Sequence, residues 1–434
     1  MAGRTERAEA DTGRPPVPKH LRPRRAFSSL RQRNFRLYWL GQTVSVMGTW
    51  MQSIGQTWLV LQLTHSAWQI GVVGAIDLLP TLTFSLLAGV MADRWPKRAV
   101  LLATQSVALA QAVILWALVA SHSIQLWHVY ALAFLLGLVR CLSAPVRQAF
   151  MIEMAGRDDL PNAIALNASA ANLARFAGPG LAGLIIAASN VGTLFLLNAL
   201  SYLAVIGGLA LINIRELHIR EAHHSDRHSA WRSLREGLAY VWRSPLILLP
   251  IVVVGLALLF GSNFSVLLPL FATDVLKAGP RGFGFLAAAF GVGSLLAALW
   301  LASAKQSPTI RRILIAGAAF GMLGIAFSSS RLLPLSLVLM VGTGFAEESL
   351  VTMATTGIQL ATPDHLQGRV MSVNVLFLDG TVPPGYLATG ALASQFGAPA
   401  AMLTGAVGVL AVVGAGWLWW RVAKARGMIP EKSA

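Results

Sequence analysis

Apolar runs of about 20 residues or more recur along nearly the whole 434-residue chain, and their recurrence leaves few folds open. They fall at residues 35–63, 68–92, 99–121, 126–150, 160–188 and 191–213, and again at 246–272, 282–304, 311–329, 333–359, 368–394 and 399–421. At a rise of ~1.5 Å per residue, each is long enough as a helix to cross a ~30 Å hydrocarbon layer. The chain is 55% hydrophobic and 12% charged, with mean hydropathy +0.63. A soluble fold of this size needs far more polar surface, so the bilayer is the expected solvent. The expectation is an all-α integral membrane protein of about twelve transmembrane helices in two six-helix bundles.

The single cysteine, Cys141, excludes an internal disulfide framework, and its apolar neighbours predict a buried, inert thiol. Residues 1–36 are rich in Pro and Arg, with no apolar stretch before Phe35 and hence no expected signal peptide. The net charge of +16 would suit a nucleic-acid binder, but its distribution argues against one. Ten of the 34 Lys and Arg residues lie in the tail through Arg36, six between Arg215 and Arg243, and four from Arg421 onward. Only Lys277, Arg281 and Arg331 fall in loops that must face the other side. This positive-inside bias places both termini in the cytoplasm of a multi-pass protein of the cell inner (plasma) membrane.

The expected organisation is a basic tail (1–34), an N-terminal bundle (35–213), a linker (214–245), a C-terminal bundle (246–421) and a second tail (422–434). Within the linker, Trp231, Leu234, Leu238, Val241 and Trp242 recur at helical spacing among Arg232, Arg235, Glu236 and Arg243, which predicts an amphipathic helix at the interface. The halves echo one another weakly. Ser85-Leu86-Leu87-Ala88 matches Ser294-Leu295-Leu296-Ala297 in position, and Gly156-Arg157-Asp158-Asp159-Leu160 matches Thr362-Pro363-Asp364-His365-Leu366. Parallel repeats of six helices predict such an echo.

Ionisable residues inside a span cost on the order of 3 kcal/mol, so each needs a partner, water or a function. Asp77 lies in the second span, Arg140 in the fourth, Arg175 in the fifth, Glu347 and Glu348 in the tenth, and Asp379 in the eleventh. All six sit within several Å of mid-depth at ~1.5 Å per residue. A polar centre shared by both halves is the layout of a transporter cavity. A carboxylate removed from water takes up a proton more readily than one in water. Glu348, Glu347, Asp379 and Asp77 are therefore the candidate proton carriers, with Arg140 and Arg175 tuning them or meeting an anion. The alternative is a static lock of Arg against carboxylate. Asp77 precedes Pro80, and Asp379 precedes Pro383 and Pro384, where kinked helices would bare carbonyls.

In the first span Gln42, Ser45, Thr49, Gln52 (or Ser53) and Gln56 form one polar stripe, read either as cavity lining or as packing against another helix. Glu348, Thr352, Thr355 and Gln359 share a face of the tenth span, which favours Glu348 over Glu347 as the cavity carboxylate. Asn263 completes the cavity-lining set. His218, His223, His224 and His228 cluster in the linker without a cysteine, so no metal site is expected and no cofactor is implied. No phosphate-cradling loop of the ATP-driven type is present, and no nucleophile, base and orienter assemble.

Between the second and third spans, Gly89, Asp93, Arg94, Lys97 and Arg98 resemble the charged hairpin of the major facilitator superfamily, with Pro96 in place of the usual Gly and Lys97 in place of an Arg. The resemblance implies a gate: Asp93 facing the positive end of the eleventh helix near Gly368 and Arg369, latching the cytoplasmic side in the outward-facing state. Ala174-Arg175-Phe176-Ala177-Gly178-Pro179-Gly180-Leu181-Ala182-Gly183 is similar to the superfamily's antiporter motif, with Ala174 and Ala182 standing where Gly is usual. Gly178, Pro179 and Gly183 would give a bent, close-packed helix that controls sealing of the cavity.

The stretches Pro145-Val146-Arg147-Gln148-Ala149, Asp158-Asp159-Leu160-Pro161-Asn162-Ala163, Leu197-Asn198-Ala199-Leu200-Ser201-Tyr202 and Gln367-Gly368-Arg369-Val370-Met371-Ser372 resemble the enterobactin-exporter-like branch, which includes macrolide-efflux-like proteins. The likeness covers residues 28–422, and Arg140 departs from the small residue usual there. It implies a secondary transporter, not an enzyme: proton-coupled export of an amphiphilic small molecule such as a siderophore or drug, by a monomer with no nucleic-acid partner. Import of a small metabolite on the same fold is the first alternative and a non-transporting membrane sensor the second; the Gly-Pro motif of the fifth span favours export.

Overall fold

The computed structural model describes residues 27–218, 227–303 and 308–426. Helix α1 (Arg33–Thr64) and α2 (Ala67–Arg94) form the first pair, followed by α3 (Lys97–Ala120). Helix α4 (Leu126–Ala188) is two crossings in one run, broken at Gly156, whose φ of +66° suits a residue without a Cβ. Helix α5 (Val191–Ala210) completes the first six crossings. Helix α6 (Arg227–Arg243) lies in the linker.

The second half begins with α7 (Pro245–Gly261) and α8 (Phe264–Leu270), which continues into a π-helical turn at Phe271–Val275. Then come α9 (Gly279–Ser303), α10 (Ile310–Ser329), α11 (Leu333–Ala361), α12 (Gln367–Phe396) and α13 (Ala398–Ala425). The seventh span, expected as one continuous run over 246–272, is broken at Ser262 and Asn263.

Among the described residues nine helical segments have both the length and the hydropathy of a membrane span, α4 counting once among them. Helices α1 and α12 are absent from the nine because their polar residues lower the average. With both of them and the second limb of α4, the described residues cross twelve times, so the start of α1 and the end of α13 lie on one side, the terminal end, opposite the far end. Helices α1 to α5 pack among themselves, as do α7 to α13. The protein is thus an all-α membrane fold of two six-helix bundles.

The two halves meet along two seams, α4 against α9 and α2 against α12. Both close toward the far end. A Cβ on Gly183 would stand 2.7 Å from the Pro280 carbonyl oxygen and 2.8 Å from Gly284 Cα, so glycine lets the two backbones touch. Across the other seam Tyr386 covers Gly71 and Gly74, and Gly390 lies on Ala67. Trp58 stacks on Phe283 with ring centroids 6.1 Å apart. At the terminal end Gly89 of α2 and Gly368 of α12 face open space. Among the described residues these contacts hold the halves together at the far end, while Gly89 and Gly368 meet no neighbour at the terminal end.

At the terminal end Ser28 donates to Asp159 Oδ1 at 2.8 Å, and Asn162 Oδ1 accepts the Ser29 N–H at 3.0 Å. Those bonds dock the residues just before α1 on the α4 hairpin. Helix α6 lies on α12: Val241 is 2% exposed in a small core with Ile247, Ile358 and Val370, while Leu238 and Trp242 are exposed. Trp231 and Leu234 of its expected apolar face lie outside the described side chains.

Candidate functional site

Pro80 denies α2 a backbone N–H, and Gly137 lets α4 press against the Asp77 carbonyl at that kink. One turn along α4 from Gly137, Arg140 donates to Asp77 Oδ2 at 2.6 Å. The other carboxylate oxygen, Oδ1, is buried without a partner. This pair borders a cavity of about 220 Å³ between the halves, together with Trp50, Gln56, Ser265 and Tyr386. The Tyr386 hydroxyl reaches Ser265 Oγ at 3.4 Å.

A second pair joins the two halves. Arg175, on the second limb of α4, lies 3.4 Å from Glu348 Oε2 of α11. Its guanidinium also sits 5.7 Å from the Phe290 ring centroid on α9. Thr352 donates to Glu348 Oε1 at 2.9 Å, so one acid takes bonds from both bundles. Glu347, its neighbour, turns into the second bundle, is 6% exposed and accepts from Ser262 at 2.8 Å. Its Oε2 has no partner. Asp379 is exposed on α12, with no ion pair among the described residues. Pro383 and Pro384 deny helix donors to the carbonyls of Asp379 and Gly380.

The polar stripe of α1 divides. Gln52 is 1% exposed; its amide donates to Gln111 of α3 at 3.0 Å and accepts from Asn198 of α5 at 2.7 Å. Ser201 closes the network on Asn198 at 2.9 Å. Ser45 flanks Gly48, which rests on Asn198 and Ser201, and Ser45 and Gln42 are both buried. Thr49 donates to the Ser45 carbonyl at 2.9 Å and lies 3.4 Å from the Tyr202 hydroxyl. Of the two readings of this stripe, packing holds for Gln52, whose amide is engaged by Gln111 and Asn198 within the first bundle, while Gln42 and Ser45 are buried and Thr49 half-buried. Ser53, the alternative to Gln52 in the stripe, and Gln56 border the cavity.

The cavity-lining expectation is corrected for Asn263. At 1% exposure it donates to the Leu259 and Phe260 carbonyls at 2.9 and 3.3 Å, replacing donors lost where α7 ends. Thr352 borders a groove of about 1040 Å³ between α9, α10 and α11, which neither Glu348 nor Arg175 lines. Thr355 is half-buried and Gln359 exposed.

In the hairpin, Lys97 pairs with Glu153 at 2.7 Å. Arg98 donates to the Leu209 and Ala210 carbonyls at 2.7 and 2.8 Å, placing its charge at the negative end of α5. Both are engaged within the first bundle. The side chains of Asp93 and Arg94 lie outside the described residues. Arg369 pairs with Glu236 of α6, and Gly237 rests on its backbone. Gly178 lies on Trp50 and Met47 of α1, and the Pro179 carbonyl lies against Gly284, so the Gly-Pro segment is the seam itself.

Tyr386, Ser262, Gln111 and Asn198 were not singled out by the sequence as polar partners. An inventory of neutral amides within spans, beside the ionisable groups, finds Gln111 and Asn198. His218 holds the Glu153 carbonyl at 3.3 Å, His223, His224 and the side chain of His228 lie outside the described residues, and among the described residues no His, Cys, Asp and Glu cluster is fit for a metal.

The fold is that of solved transporters. The nucleoside transporter NupG superposes with a TM-score of 0.71 at 12% identity, over 90% of this chain and 99% of that one. The POT family transporter PepTSo gives 0.70 at 13% identity, over 91% and 99%. Among curated proteins, the chain is 25% identical to the Staphyloferrin A transporter of Staphylococcus aureus, over 81% of this chain and 87% of the other. It is 29% identical to the multidrug efflux pump Tap of Mycolicibacterium fortuitum, over 80% and 86%. Macrolide efflux protein A of Streptococcus pyogenes is 22% identical, over 84% and 90%. Residues 24–431 match the family described as transmembrane secretion effector, and the chain belongs to that family of major facilitator secondary transporters.

Proposed function

We propose that this protein exports an amphiphilic small molecule, of the siderophore or drug class, in exchange for protons. It works as a monomer in the plasma membrane with both termini in the cytoplasm. The observation that carries this reading is the Arg175–Glu348 pair, which ties the two bundles together at mid-depth beside the closed seam. The far end separates only when that pair breaks.

With the terminal end cytoplasmic, the far-end contacts support an inward-facing arrangement, in which substrate enters from the cytoplasm. A substrate that engages Arg175 or Glu348 loosens the tie and lets the far end open. Facing outward, Glu348 takes a proton, which removes the negative charge that would recapture Arg175. The bundles return, the proton leaves to the cytoplasm, and the pair re-forms. Asp77, Glu347 and Asp379 are further proton carriers on this reading, Glu347 and Asp77 each holding a carboxylate oxygen without a partner. Arg140 then tunes Asp77. Asp93 and Arg94, with Gly89 and Arg369, form the cytoplasmic latch in the outward-facing state, and Lys97 and Arg98 hold the hairpin that presents it. The efflux activities named for Tap and macrolide efflux protein A support the outward direction.

A proton gradient supplies ~1.4 kcal/mol per pH unit and ~2.3 kcal/mol per 100 mV for each charge moved. One proton can therefore sustain roughly a hundredfold substrate gradient. The test is dissipation of a pH gradient in inside-out vesicles containing the protein, scanned against siderophores, macrolides and cationic dyes. Dissipation that needs both substrate and Glu348 supports the reading. Silence across the panel from folded protein counts against it.

A further inference from the structure

A cavity of about 470 Å³ opens at the terminal end, where the last turns of α13 meet the first turn of α10. Arg311, Arg421 and Lys424 line it, all three exposed, together with Trp417 and Trp420. Among the described residues no acid lines it, and neither Arg311 nor Arg421 has an ion pair. Three cations gathered around one hollow repel one another. Arg311 adds to the cost because it sits at the positive end of the α10 dipole. An anion in the hollow would remove both penalties.

The two tryptophans form an apolar wall: Trp420 is 9% exposed and packs edge-on against Trp417 at 5.4 Å between centroids, with Lys424 Nζ 5.9 Å from its ring. Among the described residues the charged side chains of the cavity are two guanidiniums and an ammonium, all donors and no acceptors, so a group rich in acceptor oxygens fits it.

The surroundings decide what carries those oxygens. Beside the cavity on α13, Leu418 is 66% exposed and Val422 48% exposed; Ile315, one turn along α10 from Arg311, is 50% exposed. These side chains face the hydrocarbon, and the two tryptophans stand at the depth where aromatic belts mark the membrane interface. A free phosphate would make no use of that apolar border. A phospholipid would lay its chains along it. Basic hollows between membrane helices suit anionic headgroups for these reasons.

We propose that Arg311, Arg421 and Lys424 bind the phosphate headgroup of an anionic phospholipid, whose acyl chains run along Ile315, Leu418 and Val422. The site lies in the second bundle, apart from the central charges, in the leaflet on the terminal side.

Native mass spectrometry of the purified full-length protein, titrated with phosphatidylglycerol or phosphatidylcholine, tests this. Each cation near the surface contributes about fivefold to anionic-lipid affinity. The triple variant Arg311→Gln/Arg421→Gln/Lys424→Gln should therefore lose at least tenfold in phosphatidylglycerol retention, with phosphatidylcholine unchanged. Lys424→Arg should retain binding, as should Arg331→Gln at the far end. Should the triple variant fail to fold, Arg421→Gln and Arg311→Gln are each expected to lose severalfold on their own. Wild-type retention in a folded triple variant, or in both single variants, would overturn the proposal. Displacement of phosphatidylglycerol by inorganic phosphate at comparable concentration would also overturn it, showing an anion site indifferent to lipid.

Discussion

Replacing Gly183 with alanine puts a methyl group where α4 and α9 touch. Its Cβ would lie 2.7 Å from the Pro280 carbonyl oxygen and 2.8 Å from Gly284 Cα. Both neighbours are backbone atoms, which cannot swing aside as a side chain can. Carbon pairs rest at about 3.5–4.0 Å, so the seam must widen by roughly 0.7–1.2 Å. Overpacking of this kind costs about 1–3 kcal/mol, and only the state closed at the far end bears that cost. The ratio of the two states should then shift about 5- to 150-fold toward the one open at the far end. Nitroxides on Ser123→Cys and Leu332→Cys, exposed positions at the far ends of the two bundles, report it by double electron–electron resonance in a Cys141→Ala background. A long-distance population raised at least fivefold is expected. An unchanged distance distribution in a folded Gly183→Ala protein would refute the argument that this contact sets the closed state.

Other substitutions separate coupling, packing and gating. Glu348→Gln should abolish transport driven by a pH gradient, whereas Thr352→Ala, which removes one 2.9 Å bond to the same acid, should slow it less; flux assays showing the reverse order would move the coupling role to Glu347 or Asp379. Gln52→Leu strips partners from Gln111 and Asn198 in a buried seam, and should cost about 1–3 kcal/mol in denaturant unfolding while substrate selection stays unchanged. A changed substrate profile in a stable Gln52→Leu protein would return that residue to the cavity. Asp93→Asn should impair switching between states and leave substrate binding largely intact. Normal turnover at normal membrane abundance would remove Asp93 from the gate.

The spans and their pairing into two bundles were legible because length and hydropathy act over some 20 residues at a time. Position within a bundle was legible only in part. Helix α1 shows why: spacing places Ser45, Thr49 and Gln52 on one side, but only the presence of Gln111 and Asn198 on other helices decides that this side faces protein and not the cavity. The break at Ser262 and Asn263 was hidden for a related reason. An apolar run looks the same whether continuous or broken, and here a single amide caps the loose carbonyls. The charges at mid-depth were visible as a set, since each is costly in lipid. Their division into one pair within a bundle, Asp77 with Arg140, and one between bundles, Arg175 with Glu348, depends on which helices are neighbours. Sequence spacing does not carry that information.

The central claim is that substrate and protons move in opposite directions through a cycle gated by Glu348. Purified protein in liposomes, with an imposed pH gradient as the only energy source, tests it most directly, using a substrate identified in the vesicle screen. The account predicts that substrate accumulates on the acidic side, with a matching proton flux the other way, and that Glu348→Gln eliminates both. Substrate movement indifferent to the gradient, or accumulation that persists in Glu348→Gln, would contradict it.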